Sequence, residues 1–199
     1  MTNSSYQIDD EHKHLWDAQE GVVYDIFKEN EDYITISRSN KVGLFDKQKY
    51  SIIIQAIYDG IGGNDLMSIP NSRYGYAPNP IEVFLDNHVG LVSPDGNILI
   101  EVDVDAKKYI LLPETYGEEF VCAYSTDEYM EMHPKLCFIN SMGCPVTDFV
   151  YDSIRHPMRE GKVEVTKGNL IIELDSKLNV IDSYPKTFYG FNDEKYSID

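Results

Sequence analysis

A mainly β fold is predicted, with antiparallel hairpin repeats forming a curved array or an incomplete propeller-like arrangement behind a short N-terminal helix. Two patterns lead there. Tyr, Val, Ile and Phe recur in runs of four to eight, cut by Gly, Pro, Asn and Asp, which is how strands and turns alternate. The turns also recur at matching points of a longer period. The chain reads as one repeat domain over residues 1–199. It comprises a helix at residues 9–19, degenerate repeats over about residues 20–182, and a C-terminal cap or tail over residues 183–199.

The helix is expected because Asp9 and Asp10 can cap it, Leu15 and Trp16 supply an apolar edge, and Gly21 stops it. Four hairpin units are then aligned by their turns. Lys41-Val42-Gly43-Leu44-Phe45-Asp46 precedes the turn Lys47-Gln48-Lys49, and Ile52-Ile53-Ile54 follows. His88-Val89-Gly90-Leu91-Val92-Ser93 precedes Pro94-Asp95-Gly96, with Ile98-Leu99-Ile100 after it. Lys135-Leu136-Cys137-Phe138-Ile139-Asn140 precedes Ser141-Met142-Gly143, and Leu170-Ile171-Ile172-Glu173-Leu174-Asp175 precedes Ser176-Lys177. Asp46, Ser93, Asn140 and Asp175 thus open turns 47, 47 and 35 positions apart. Each is expected to accept a hydrogen bond from the backbone two residues later.

A second mark follows the turns at a nearly fixed distance. It reads Tyr58-Asp59-Gly60-Ile61 in the first copy, Val104-Asp105 in the second and Tyr151-Asp152-Ser153-Ile154 in the third, with Tyr24-Asp25-Ile26 as the tail of an incomplete earlier unit. These residues resemble the WG-repeat (KWG-repeat) family, whose units read roughly Gly-Leu-Ile/Val-Asp-x-x-Gly-x-x-Ile and then Tyr-Asp-x-Ile. In this chain Val42, Val89 and Cys137 stand where the family often has Trp, and Phe138 takes the glycine position of the third copy. The resemblance implies an interaction scaffold. Physically, a lone hairpin leaves one face uncovered, and repetition lets each unit cover its neighbour. The Gly60-Ile61-Gly62-Gly63 run reads as a turn, and residues 62–80 as a long excursion.

Composition restricts the partners. Asp and Glu number 34 against 17 Lys and Arg, a formal charge of −17. Nucleic acid and anionic membranes are unexpected partners, because both require Lys and Arg to displace counterions. A basic protein is expected instead, drawn in by long-range attraction. The N-terminal residues lack the basic-then-apolar order of a secretion signal, and three cysteines give no paired framework, so a cytoplasmic setting is expected.

Reaction chemistry has little to stand on. His12 and His14 beside Asp9, Asp10 and Glu11, and the strand carboxylates Glu101, Asp103 and Asp105, lack the wrapped geometry a metal needs. Cys122, Cys137 and Cys144 are nucleophile candidates only if His133 or His156 comes near. No enzymatic activity, cofactor or metal is expected.

The segment that stands out mixes acids with tyrosines, which serve as rigid amphipathic anchors at interfaces. Its candidate partner-binding residues are Glu114, Tyr116, Glu118, Glu119, Asp127, Glu128, Tyr129 and Glu131. The functional expectation is a non-enzymatic protein-binding module, an acidic immunity protein that neutralises a basic bacterial toxin, with a nuclease the best-fitting target. The alternative is a small-molecule or glycan binder using Tyr74 and Tyr76 of the 62–80 excursion.

Overall fold

In the computed structural model, the described residues are 5–62, 80–117, 119–127, 133–159, 161–186, 188–189 and 195–196, with backbone alone at residues 114, 156–159, 188–189 and 195–196. The chain divides into two compact units, Met1–Ala106 and Lys107–Asp199. Among the described residues both are antiparallel β, with a 3-10 turn at Pro113–Thr115.

The first unit opens with six strands that pair in chain order: β1 (Tyr6–Asp9), β2 (His14–Asp17), β3 (Val22–Glu29), β4 (Tyr33–Arg38), β5 (Lys41–Asp46) and β6 (Ser51–Tyr58). A second sheet holds β7 (Gly60–Ile61), β8 (Ile81–Leu85), β9 (His88–Val92) and β10 (Ile98–Asp105), in the order β10-β9-β8-β7. Gly60-Ile61, read as a turn, is therefore a short strand paired with β8.

The expected helix at residues 9–19 is a hairpin. Asp9 does accept from the backbone N–H groups of Glu11 and His12, each at 3.1 Å. The same side-chain acceptance opens a helix or a tight turn, because both satisfy the amides two and three residues on. Lys13 then turns left-handed, at φ 56°, and sends the chain back as β2. Within His14-Leu15-Trp16-Asp17 the burial alternates, with Leu15 and Asp17 in and Trp16 out. That is a period of two, not of 3.6.

The six-stranded sheet curls into a half-barrel. Its inner face carries Leu15, Tyr24, Ile34, Ile36 and Phe45, with Tyr6, Ile8, Val22, Ile26, Ile52 and Ala56 packed on them. The Tyr6 ring of β1 reaches the Phe45 ring of β5 edge-on at 5.3 Å. On the other face, Leu44, Ile54 and Tyr58 pack with Ile61, Ile81, Val83 and Val92 of the second sheet.

One irregularity occurs twice. Between the pairs Leu44↔Ile54 and Val42↔Tyr58, β5 advances two residues while β6 advances four. Between Leu91↔Ile100 and Val89↔Val104, β9 likewise advances two and β10 four. Gly43 and Gly90 sit opposite these bulges. Neither has a positive φ, so conformational freedom is not what they supply. What they supply is room: a Cβ on Gly43 would lie 2.5 Å from the Ile54 carbonyl oxygen, and one on Gly90 2.7 Å from that of Ile100.

The turn openers act as their chemistry requires. Asp46 accepts from Gln48 and Lys49 at 2.8 and 2.9 Å, Asn140 from Met142 and Cys144 at 3.1 and 2.9 Å, and Asp175 from Lys177 and Asn179 at 2.8 Å each. Asp17 and Asn30 do the same for Gln19 and Glu20 and for Asp32 and Tyr33. Ser93 departs from the expected reach, since its Oγ accepts from Asn97, four residues on. Two further hairpins use tight two-residue loops: Ser39-Asn40 and Asp86-Asn87 are left-handed at both positions, as twisted hairpins prefer.

In the second unit, β11 (Tyr109–Leu112), β12 (Phe120–Ser125) and β13 (Leu136–Asn140) form one sheet. A second holds β14 (Ser153–Arg159), β15 (Lys162–Lys167), β16 (Leu170–Asp175) and β17 (Val180–Pro185), in chain order. The short β18 (Phe188–Tyr189) and β19 (Lys195–Tyr196) pair with each other. Cys122, Leu136 and Phe138 pack with Val163, Val165 and Leu174 to form this unit's core.

Two of the Tyr-Asp marks are lysine ion-pair sites. Asp59 binds Lys41 Nζ at 2.6 Å and accepts the Asp86 N–H at 2.9 Å. Asp152 binds Lys135 and accepts the Gly168 N–H in the same manner. Lys41 and Lys135 each stand five residues before a turn opener. That register puts Cys137, not Phe138, level with Gly43 and Gly90. Where a side chain occupies that position, the returning chain is no continuous strand but two isolated bridges, Ile139↔Pro145 and Leu136↔Tyr151.

Two outcomes test these assignments by urea denaturation. Gly43→Ala and Gly90→Ala should each lose about 1–3 kcal/mol, because the clash is with backbone. Gly60→Ala, whose Cβ meets only the Phe84 ring at 3.6 Å, should stay within about 0.5 kcal/mol. Asp46→Ala should cost about 1–3 kcal/mol through two orphaned amides, and Asp46→Asn should recover most of it.

Candidate functional site

The predicted acid-and-tyrosine segment begins on a well-anchored turn. Thr115, buried, donates its hydroxyl to the Leu112 carbonyl at 2.7 Å and accepts the Cys122 N–H at 2.9 Å. Tyr116 follows half-buried, and Gly117 donates to the Phe120 carbonyl at 2.8 Å. Burial and then the nearby Glu119 carboxylate raise the Tyr116 phenol above its ordinary pKa, so it stays neutral and able to donate. Glu119 and Asp127 are both exposed, but they stand beyond opposite ends of β12. A strand of that length spans about 20 Å, so the two do not converge on one small ligand. Glu114 is described in backbone only, and Glu118, Glu128, Tyr129 and Glu131 lie outside the described residues, as do Tyr74 and Tyr76.

A different face was not singled out by the sequence. On the outer side of the half-barrel, Trp16 of β2 stands directly opposite Val23 of β3. They are 43% and 53% exposed, and Phe27, two positions beyond Asp25 on the same strand, is 68% exposed. His14 and Asp25, also cross-strand partners, lie between, with Nδ1 and Oδ1 3.2 Å apart. Assigning Trp16 to a helix hid this, because its pairing with Val23 exists only once the chain turns at Gly21.

The histidines and acids of residues 9–14 separate instead of converging. His12 Nδ1 pairs with Asp9 Oδ2 at 2.8 Å, while His14 faces Asp25. Among the described residues, no group of three or more His, Cys, Asp or Glu is placed to hold a metal ion. Cys122 lies across from Phe138, and Cys137 across from Ala123. Neighbouring positions of a strand face opposite ways, so these two buried thiols point to opposite sides of the sheet. Burial pushes the Cys137 thiol up to about 12, which keeps it protonated at neutral pH and a poor nucleophile. Cys144 is exposed in the turn after β13.

Several carboxylates have structural partners that hold them ionised. Lys41 and then the Asp86 amide lower the pKa of Asp59, and Asn179, through side chain and backbone, lowers that of Asp175. At Asp152 burial opposes ionisation, but Lys135 and the Gly168 amide together outweigh it.

No family model and no curated protein matches the chain. Solved structures similar to it include Kluyveromyces lactis Hsv2, at 10% identity and TM-score 0.30 over 92% of this chain. KlHsv2 with loop 6CD replaced by a Gly-Ser linker gives 13% identity and TM-score 0.32 over 96% of this chain and 68% of that one. A protein of unknown function from Bacteroides caccae gives 11% identity and TM-score 0.25, over 83% of this chain and 64% of that one. The chain spans 63% of the length of Kluyveromyces lactis Hsv2. Likeness at these TM-scores carries no argument about function.

Acid sensitivity follows from the ion-paired carboxylates. Their folded pKa values lie below the ordinary value of about 4, so their stabilisation is complete above that pH and lost as pH falls through the folded values. Scanning calorimetry should show a melting temperature that is steady above about pH 5 and falls progressively below about pH 4. Asp59→Asn with Asp152→Asn should melt lower at neutral pH and decline less steeply in acid.

Proposed function

We propose that this chain is a non-enzymatic protein-binding module whose acidic surface engages a basic protein partner. The carrying observation is the distribution of its charge. The formal charge is −17, and the carboxylates committed to turns or lysine pairs still leave exposed acids such as Glu20, Asp25, Glu119 and Asp127. Such a surface accelerates encounter with cationic partners and disfavours phosphate-bearing ones. The partner class that fits best is a toxin domain with a cationic, nucleic-acid-binding groove, which an acidic immunity protein would occlude. A cytosolic setting belongs to the same reading, and three cysteines outside any disulfide agree with it. No helix among the described residues is long and apolar enough to cross a membrane.

The hairpins belong to this proposal as degenerate WG-like repeats used as an interaction scaffold. The matching bulges over Gly43 and Gly90, and the Lys41–Asp59 and Lys135–Asp152 pairs, support that reading.

Co-expression with the basic product of the adjoining gene tests the role. Growth should be rescued from that protein's toxicity, the two should co-purify, and their affinity should weaken at least about tenfold between low and physiological salt. No rescue together with salt-insensitive association would contradict the proposal.

A further inference from the structure

The outer face of β2 and β3 combines two properties that rarely coincide on a solvated sheet. It exposes large apolar side chains in a row, Trp16 beside Val23 and then Phe27. The inner face of the same strands is already filled: Leu15, opposite Tyr24, is fully buried there with Tyr24, Val22 and Ile26. The core therefore gives no reason for these residues to be apolar. Single exposed apolar residues need no explanation, but a cross-strand tryptophan–valine pair with a phenylalanine further along the same strand, beyond the His14–Asp25 pair, gathers three large apolar side chains on one face, and such groupings mark docking sites.

The surrounding charge selects the occupant. Between Ser5 and Asn30, with Asp9 committed to its turn and Glu29 paired to Lys13 and Lys47, the exposed acids Asp10, Glu11, Glu20 and Asp25 stand against Lys28. Asp25 projects from the patch itself, on the strand between Val23 and Phe27, with its side chain 71% exposed despite His14 beside it. A second copy of this chain would bring the same acids and a further charge of −17 against them, which long-range repulsion opposes. A segment with Lys or Arg flanking apolar side chains would instead cover the apolar row and neutralise its rim. Trp and Phe, large and with few rotatable bonds, are the residue types that anchor such contacts.

We infer that the Trp16–Val23–Phe27 face is the docking surface for a basic, amphipathic segment of a protein partner. This rests on the proposed basic-partner function and names the face that performs it. The apolar row supplies affinity through burial, and the acidic rim supplies encounter rate and orientation.

Trp16 is the chain's single tryptophan, so its fluorescence reports the face directly. The probes are a short peptide of interleaved Leu and Lys and an oligolysine of equal length, titrated into the full chain with calorimetry in parallel. The Leu/Lys peptide should bind saturably, shift Trp16 emission to the blue, and bind at least about tenfold more tightly than oligolysine. Phe27→Ser and Val23→Thr, both on exposed positions, should each weaken it about fivefold or more while leaving urea stability unchanged. If both peptides bind equally, without an emission shift and without sensitivity to either substitution, the basic-partner function stands and this face is excluded. If neither peptide binds at low salt, the basic-partner function itself fails, and the face with it. Concentration-dependent dimerisation of the free chain, abolished by Phe27→Ser, would assign the face to self-association and overturn the inference.

Discussion

Six turns among the described residues are built on the same interaction: a carboxylate or carboxamide oxygen accepts two backbone N–H groups that lie two to four residues further along the chain. Asp9, Asp17, Asn30, Asp46, Asn140 and Asp175 each play that part. The consequence is larger than the local energy. In a sheet whose faces bury different residues, slipping a strand by one position turns its apolar side chains to the wrong side. Pinning the turn pins the register, and the register decides what the half-barrel encloses. Phe45 and Leu44, adjacent on β5, pack on opposite faces into two separate cores. Asp46, buried at the end of that strand, fixes which goes where.

This use of carboxylates changes the meaning of the protein's acidity. Asp9, Asp17, Asp46 and Asp175 serve turns, and Asp59 and Asp152 tie the start of a hairpin to its end through Lys41 and Lys135. These groups report on folding, not on partners. What remains for recognition is the exposed set, and its density matters most where it borders exposed apolar surface. The outer face of β2 and β3 meets that condition. The segment around Tyr116 presents acids and a half-buried ring, but Glu119 and Asp127 are held apart by the length of β12.

The legible parts of the structure were those governed by nearest neighbours in sequence. Asp46, Asn140 and Asp175 open turns by reaching two residues ahead, so their role is visible without knowing the fold. Gly43 and Gly90 were legible as repeat marks, although their physical reason, the close passage of the return strand's backbone, was not. Asp9 misled for a definable reason: the bonds it makes to Glu11 and His12 would also begin a helix, and only the alternation of Leu15 and Trp16 separates the outcomes. That misassignment concealed the Trp16–Val23 pair, because helical and strand periods place Trp16 on different surfaces. Tyr50 and Leu178, left-handed at φ 53° and 64°, close turns where glycine would be expected, so composition gave no sign of them. Convergence of distant acids is a tertiary property, and the row of acids from Glu114 to Glu131 could not disclose it.

Amide hydrogen exchange at the turns addresses the register-pinning interaction most directly. Gln48 and Lys49 lie in a surface turn, where amides without partners exchange at nearly the rate of an unstructured chain. Bonded to the Asp46 carboxylate, both should instead be protected comparably to the flanking strands. Asp46→Ala should abolish protection at those two amides first and then weaken it along β5 and β6. Free exchange of Gln48 and Lys49 in the native protein, with the neighbouring strands still protected, would show that the hairpin holds its register without the side chain and would contradict the account.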